Sequence, residues 1–472
     1  MYRIFIPLLI LMFSFCQESL ATFYAQVMDL KSGEVVTYPR GDHHLMFASS
    51  QKIFTVFSGL SILGSDFQFD TKILTDGIIR SGKLLGNLYM KFDGNPDLRE
   101  SAILYISQRL KGLGINEIRG NIILDISEFD NKPYPRGWTI ENQNMCYTAP
   151  LSAVIINKNC SAISIKRKGD KLIANSLDDF VKINSEAKYH PQDCDLDLEY
   201  EGDNKYLLTE SCNIKNKTEF KIAVRGPVLL VKQLLEKNLQ KLGIRYKKVI
   251  VSNSPAEAEH CLFSIKSRPL WALAKEVLTR SDNLLSEVIV KKIGAIYGKG
   301  SWKNGLRVMN LFLQRQIHTL ENDINMADGS GLSRKNLINI NSFSLLLSRL
   351  ALTNYRFSLY STAPINQNCR VKVDDKFILK DLMVPKAFKF NQLPPERILV
   401  KTGFIDEVNA VAGYIMDCNN IPIYSIVAVV NNSYSDAKTN RNNLAEGLEK
   451  IICGLDSRNC FLQDYGKVLP SL

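Results

Sequence analysis

A helix that has to be buried begins near residue 48, and it limits what this chain can become. Ile53, Phe54, Val56, Phe57, Leu60 and Leu63 recur at three-and-four spacing, the period of an apolar face packed on a core. At its head stands Ala48-Ser49-Ser50-Gln51-Lys52. The pattern predicts Ser49 in the first turn, where unpaired backbone N–H groups favour developing negative charge. Lys52 follows on the same face one turn away, within reach of the serine oxygen. A serine hydroxyl is a weak nucleophile at neutral pH, and a desolvated lysine is among the few bases that activate it. The spacing alone decides nothing. Ser185…Lys188 and Ser435…Lys438 repeat it, one in a polar stretch and one in a turn-like run after a strand, with no buried helix behind either.

Strand patterns at the two ends of the chain define the frame around this helix. Residues 23–30 and 35–38, joined by the turn Lys31-Ser32-Gly33-Glu34, lead into it. Residues 398–403, 410–416 and 421–430 read as three more strands, followed by a helix over 444–453. Helical patterns cover 271–279, 284–296, 306–314 and 342–352. The expected fold class is α+β, a five-stranded antiparallel sheet flanked by helices. Between the first helix and residue 262 the texture changes. Leu110-Lys-Gly-Leu-Gly-Ile115 before a strand at 120–125 is echoed by Leu239-Gln-Lys-Leu-Gly-Ile244 before a strand at 248–252, each reading as a helix stopped by glycine. Residues 161–224 are richer in charge and in alternating strand patterns. The expected division is 22–72 with 262–472 for the main domain, 73–160 with 225–261 for an inserted α/β domain, and 161–224 for a small β domain nested in the insertion.

Residues 1–21 read as a secretory leader. Arg3 supplies the positive end, residues 4–15 the apolar core and Ser19-Leu20-Ala21 the cleavage site. Cleavage after Ala21 is preferred over lipid attachment at Cys16, because Phe15 stands where a small residue is needed. The apolar core is too short to span a bilayer comfortably, so peripheral membrane association is the most this chain is expected to show. The expected location is outside the inner membrane, in the periplasm. The 472 residues include 59 Lys and Arg against 48 Asp and Glu, a net +11. No basic run or interleaved aromatic motif points to nucleic acid, and the charge fits attraction to anionic envelope material.

Ten cysteines, one of them Cys16, leave nine in an oxidising compartment. Cys146/Cys160, Cys194/Cys212 and Cys453/Cys460 are the near neighbours expected to pair, with a free thiol among Cys261, Cys369 and Cys418. No cysteine spacing or HExxH motif matches zinc, and neither metal nor cofactor is expected. The oligomeric state is not legible.

Two further motifs follow the serine helix in order. Ser281-Asp282-Asn283 lies between helical segments, and Lys401-Thr402-Gly403 ends a strand. Ser-x-x-Lys, Ser-Asp-Asn and Lys-Thr-Gly in this order form the signature of penicillin-binding proteins and serine β-lactamases. Ser49 Oγ would attack a carbonyl while Lys52 takes its proton, with burial and the charge of Lys401 holding Lys52 neutral. Ser281 would relay a proton to the leaving amine. Asn283 would bind substrate backbone and orient Lys52. Lys401 and Thr402 would hold a terminal carboxylate, and Gly403 would let substrate approach the strand. The backbone N–H groups of Ser49 and Phe404 would form the oxyanion hole.

The chain resembles the class C low-molecular-mass penicillin-binding proteins, the D-alanyl-D-alanine carboxypeptidase/endopeptidases of the penicillin-binding-protein-4 type. Beyond the three motifs, the resemblance rests on residues 86–96, Pro135-Arg-Gly-Trp138, Cys146-Tyr-Thr-Ala-Pro150 with Asn159-Cys160, and Ala327-Asp-Gly-Ser-Gly-Leu-Ser-Arg334. The long interval from Ser49 to Ser281 separates this type from class A β-lactamases. It implies a cell-wall enzyme that acts on peptidoglycan stem peptides, removing terminal D-alanine or cutting cross-links, and that is acylated by β-lactams on Ser49. Phe404 stands where the family carries a small or hydroxylated residue. Past Trp138 the choice for a frequent family acid is Glu141 or Asn142. The competing expectations are a β-lactamase-like hydrolase and a non-catalytic peptidoglycan-binding envelope protein.

Overall fold

The computed structural model describes residues 22–351 and 398–455, apart from 192–196, 210, 212, 215–216, 257, 259, 418–420 and 434. The predicted leader, the Cys194/Cys212 pair, the expected partner Cys460 of Cys453, and Cys369 and Cys418 fall outside what is described. Cys146 and Cys160 form a disulfide, and Cys261 is an exposed free thiol. Within the described residues no helix is long and apolar enough to cross a membrane.

Strands β1 (Thr22–Asp29) and β2 (Val35–Tyr38) form the predicted hairpin and lead through a 3₁₀ turn, Ala48–Gln51, into helix α1 (Lys52–Leu63). The chain then leaves for the insertion, which carries helices α2 (Glu100–Gly112) and α3 (Pro227–Lys241). It returns through α4 (Leu270–Arg280), α5 (Asn283–Ile296), α6 (Trp302–Ile317) and α7 (Ile340–Ala351). Strands β3 (Ile398–Ile405), β4 (Val408–Met416) and β5 (Pro422–Asn431) and helix α8 (Ala437–Leu455) close the described chain.

The main sheet has the order β2-β1-β5-β4-β3 and is antiparallel throughout. Its first and last strands in sequence are neighbours, with Val27 opposite Ile426. Alternation divides β5 between two cores. Val427 and Val429 face the core that includes α7, whereas Ile426, Ala428 and Val430 pack on Leu444, Leu448 and Ile452 of α8. A sheet covered on both faces explains why β4 is buried along its whole length. The order leaves β3 at the edge, beside the turn that carries Ser49.

A five-stranded sheet in the insertion runs Val249–Ser252, Ile122–Asp125, Leu88–Lys91, Asp70–Thr75 and His260–Lys266. The echoed segments are structural equivalents here. After α2 and after α3 the chain turns at Gly114 (φ 80°) and Gly243 (φ 65°), and Ile115 N–H and Ile244 N–H donate to Leu110 O and Leu239 O at 3.1 and 2.9 Å. This is the six-to-one closure of a glycine-stopped helix. The strands that follow pair in parallel, Ile122 with Val249. Residues 160–223 carry two three-stranded sheets. Strands Asp70–Thr75 and His260–Lys266 pair along their length, and Ser267 N–H donates to Phe69 O at 2.9 Å. We propose that the insertion begins and ends there, a few residues outside the 72/73 and 261/262 positions expected from sequence, with the nested β domain at 161–224.

Candidate active site

The turn bearing Ser49 is pinched from two sides. Ala48 holds a φ of 44°, an uncommon conformation for a residue with a Cβ. A Cβ on Gly331 would lie 1.8 Å from Ala48 O, and one on Gly403 would lie 2.4 Å from Phe47 O and 2.9 Å from Ser49 N. Neither neighbour can carry a side chain without moving backbone. Ser50 Oγ donates to Lys401 O at 2.9 Å, tying the turn to β3.

Lys52 is fully buried, and its Nζ lies 2.7 Å from Ser49 Oγ, from Asn283 Oδ1 and from Ser330 O. The last two partners can only accept hydrogen bonds. A neutral amine has two N–H donors and one lone pair. With both donors engaged by Asn283 and Ser330, the lone pair is left facing the Ser49 hydroxyl. Burial lowers the Lys52 amine to about 8, against the carboxylates of Asp328, Glu287 and Asp282, which pull it up. Of the two expected causes, burial and the charge of Lys401, it is burial that lowers Lys52. The repulsion between the amines is felt at Lys401, held well below the ordinary lysine range by burial first and the Lys52 charge second. Carboxylates surround Lys52, whereas Lys401 Nζ reaches the neutral groups Ser281 Oγ at 3.1 Å and Thr402 O at 2.6 Å.

Ser281 closes α4 in the left-handed region, with φ 57° and ψ 38°. Asp282 caps α5 by accepting from Leu285 N–H at 2.9 Å and pairs through its other oxygen with Lys158. Asp282 takes the cap, which frees its neighbours, so Ser281 meets Lys401 and Asn283 meets Lys52. The Asn283 amide nitrogen donates to Tyr147 O at 2.9 Å, next to the Cys146–Cys160 disulfide, so the oxygen is the atom turned to Lys52. Thr402, Gly403 and Phe404 follow along edge strand β3, with Gly403 buried, Thr402 half-buried and the Phe404 ring 53% exposed. The structure thus brings Ser49, Lys52, Ser281, Asn283 and Lys401 into one chain of contacts, with Thr402 to Phe404 on the adjoining strand.

Sequence reasoning missed the acidic support beneath this cluster. Asp328 is fully buried and accepts from Gly331 N–H (2.8 Å), Ser333 N–H (2.7 Å), Asn336 Nδ2 (2.8 Å) and Trp138 Nε1 (2.8 Å). It gathers the 327–334 loop and ties it to the insertion. Both segments were singled out in the sequence, but nothing there paired them. Glu287 accepts from Gly329 N–H, Ser330 N–H and Trp302 Nε1 at 2.7 to 3.1 Å. Its signal was a lone acid between Leu284, Leu285, Val288 and Ile289 on a buried helix. Arg334 pairs with Glu407 at 3.1 Å, and Asn142 bonds Thr139 at 2.8 Å. Among the described residues no cluster of three or more His, Cys, Asp or Glu side chains could hold a metal.

Comparison with known proteins gives the family. The chain matches the model of the D-Ala-D-Ala carboxypeptidase 3 (S13) family over residues 16–451. It is similar to the D-alanyl-D-alanine carboxypeptidase DacB of Haemophilus influenzae, with 27% identity covering 89% of this chain and 88% of that protein. It is also similar to the D-alanyl-D-alanine carboxypeptidase of Actinomadura sp. strain R39, with 24% identity covering 87% and 77%. The crystal structure of penicillin-binding protein 4 (dacB) from H. influenzae shares its fold, with a TM-score of 0.79 at 24% identity over 90% of this chain and 96% of that one. The family match takes in the serine turn, the Ser281 loop and strand β3 together, and the chain belongs to the D-Ala-D-Ala carboxypeptidase 3 (S13) family of serine peptidases.

Proposed function

We propose that Ser49 is the acylated nucleophile of a D-alanyl-D-alanine carboxypeptidase and DD-endopeptidase that works on peptidoglycan stem peptides in the periplasm. The observation that carries this reading is the bonding of Lys52, whose Nζ lies 2.7 Å from Ser49 Oγ and from two acceptors, Asn283 Oδ1 and Ser330 O, that take the N–H groups of its neutral form. Ser49 Oγ attacks the carbonyl carbon of the penultimate D-alanine while its proton passes to Lys52. The N–H groups of Ser49 and Phe404 receive the oxyanion. The C–N bond breaks, the leaving amine takes its proton by way of Ser281, and water then hydrolyses the ester. Lys401 with Thr402 holds the terminal carboxylate. Edge strand β3 aligns the peptide, with Gly403 permitting close approach. The leader read in residues 1–21 accounts for export.

β-Lactams present a strained amide beside a carboxylate and would acylate the same serine. The test has two arms. Purified protein is incubated with labelled penicillin and run on a denaturing gel, and cross-linked muropeptides are digested while D-alanine and monomer release are followed. Label lost in Ser49→Ala, with release of D-alanine or monomers by the wild type, is the expected result. A wild type that takes no label and releases neither product overturns the proposal. Fast loss of label from the wild type, without action on muropeptides, makes the chain a β-lactamase-like hydrolase.

A further inference from the structure

We infer that Glu287, which touches neither Ser49 nor Lys52, is a positioning residue that aims the Lys52 lone pair at Ser49 through the Ser330 peptide. This rests on the proposed role of Ser49 and Lys52 and extends it to a side chain buried beneath them. The connection can be followed atom by atom. Lys52 Nζ donates to Ser330 O at 2.7 Å. Ser330 N–H donates to Glu287 Oε1 at 2.8 Å, and Gly329 N–H lies 3.1 and 3.0 Å from the two carboxylate oxygens. Trp302 Nε1 donates to Oε2 at 2.7 Å, which fixes the carboxylate plane from α6. Glu287 therefore clamps two successive peptide groups of the loop, one of which presents the carbonyl that Lys52 uses.

The placement on α5 gives the arrangement its economy. Asn283 and Glu287 stand one turn apart on the same helix face. Of the two acceptors that occupy the N–H groups of a neutral Lys52, α5 supplies one directly and fixes the other through Glu287. Were the Ser330 carbonyl to swing away, Lys52 would have a free N–H, its lone pair would no longer be confined to the serine, and a rotation about one bond would break the alignment.

The same carboxylate acts on Lys52 through space. Glu287 is faced by Asp328 from the loop, by Lys52 from α1, by Lys291 from its own helix and by the Trp302 N–H from α6. Lys52 in turn is faced by Asp328, Glu287 and Asp282, with Lys401 on β3. Burial and the Asp328 charge raise Glu287 to about 7, while its N–H partners favour the ionised form. Negative charge at 287 raises the pH at which Lys52 gives up its proton. Removing that charge moves Lys52 deprotonation to lower pH, and loosening the loop lowers the rate of the deprotonated enzyme.

The test measures acylation by a chromogenic β-lactam against pH, per folded molecule, for the wild type, Glu287→Gln and Glu287→Asp. Glu287→Gln puts an amide NH₂ among N–H donors and removes the charge. Its maximal acylation rate should fall by about 10- to 100-fold, the effect of a small misplacement. The midpoint of its acid limb should move down by about half a pH unit or more. Glu287→Asp keeps the charge and withdraws the oxygens, so it should lose rate while its acid limb stays in place. A Glu287→Gln enzyme with wild-type rate and an unmoved acid limb overturns the inference, even if it melts earlier. Should that variant not fold, Glu287→Asp decides, and an undiminished maximal rate refutes it. Failure of the underlying reading looks different: the wild type itself would fail to acylate, or Ser49→Ala would acylate as well.

Discussion

Lys52 and Lys401 are two buried amines close enough to repel, and the Lys52 charge adds to burial in disfavouring a proton on Lys401. In the proposed mechanism Lys52 must be neutral to act as base, and a proton on Lys401, which has no carboxylate beside it in the protein, is favoured by the arriving substrate carboxylate. With Lys52 lowered to about 8, roughly a tenth of molecules carry the neutral amine at pH 7. Acylation should therefore rise as pH approaches 8, an acid limb read from second-order rates of penicillin acylation. A rate flat from pH 6 to 9 would remove Lys52 as base. Lys52→Ala should keep the fold and lose about 10³-fold or more in acylation, and normal acylation would have the same consequence. Gly403→Ala tests the pinched turn. Its Cβ would stand 2.4 Å from Phe47 O and 2.9 Å from Ser49 N, so it should fold with reduced stability and lose acylation. Wild-type acylation in that variant would mean that strand and turn have room to part. These residue types were legible from sequence because each belongs to a short motif with a chemical reason for its members. Burial as the cause of the Lys52 shift was legible too, from the apolar helix pattern, but the opposing carboxylates of Asp328 and Glu287 were not, since they reach Lys52 only in three dimensions.

Helix α5 carries more of the site than its sequence suggests. Its periodicity located it within a residue of its observed start, and the Ser-Asp-Asn motif marked its N-terminus. The structure gives the role of helix cap to Asp282, with Lys158 on its other oxygen. Asp282→Ala should cost about 1 kcal/mol through the lost cap and should slow acylation by letting Ser281 and Asn283 drift. Asp282→Asn keeps a capping oxygen and should recover most of the stability, which denaturant unfolding of the two variants would measure. Equal losses in both would assign the cost to the Lys158 pair instead. The strands Ile324–Asn325, Leu337–Asn339 and His44–Leu45 were not legible, because two or three residues are too few for alternation to register. They form the sheet that lays the 327–334 loop against the serine turn. This is why Asp328 and Ser330 O escaped sequence reasoning although the loop itself was singled out.

The insertion meets the peptidase core along the far half of the same helix. Lys291 has no exposed side-chain surface, bonds Asp130 Oδ1 at 2.7 Å and Lys132 O at 2.8 Å, and stands 4.0 Å from the Trp302 ring centroid. Its neighbour Lys292 pairs with Glu128 at 2.5 Å and Asp93 at 3.4 Å. The strand patterns at the two ends of the chain made the main sheet legible, and the shift in texture after the first helix suggested the insertion proposed above. The docking between them was not, since a lysine pair inside an apolar helix pattern reads equally well as a solvated edge. Buried ion pairs lose most when one partner is removed and the other is left in place. Asp130→Ala strands the Lys291 ammonium and should lower unfolding free energy by about 3–5 kcal/mol. Lys291→Met combined with Asp130→Leu removes both charges and fills their space, so it should be markedly less harmful than Asp130→Ala alone. A double-mutant cycle in urea reads the difference directly. If the double variant is as unstable as Asp130→Ala, hydrogen bonding to Lys132 O and packing on Trp302 hold the interface, and the ion pair has no part in seating the insertion on α5.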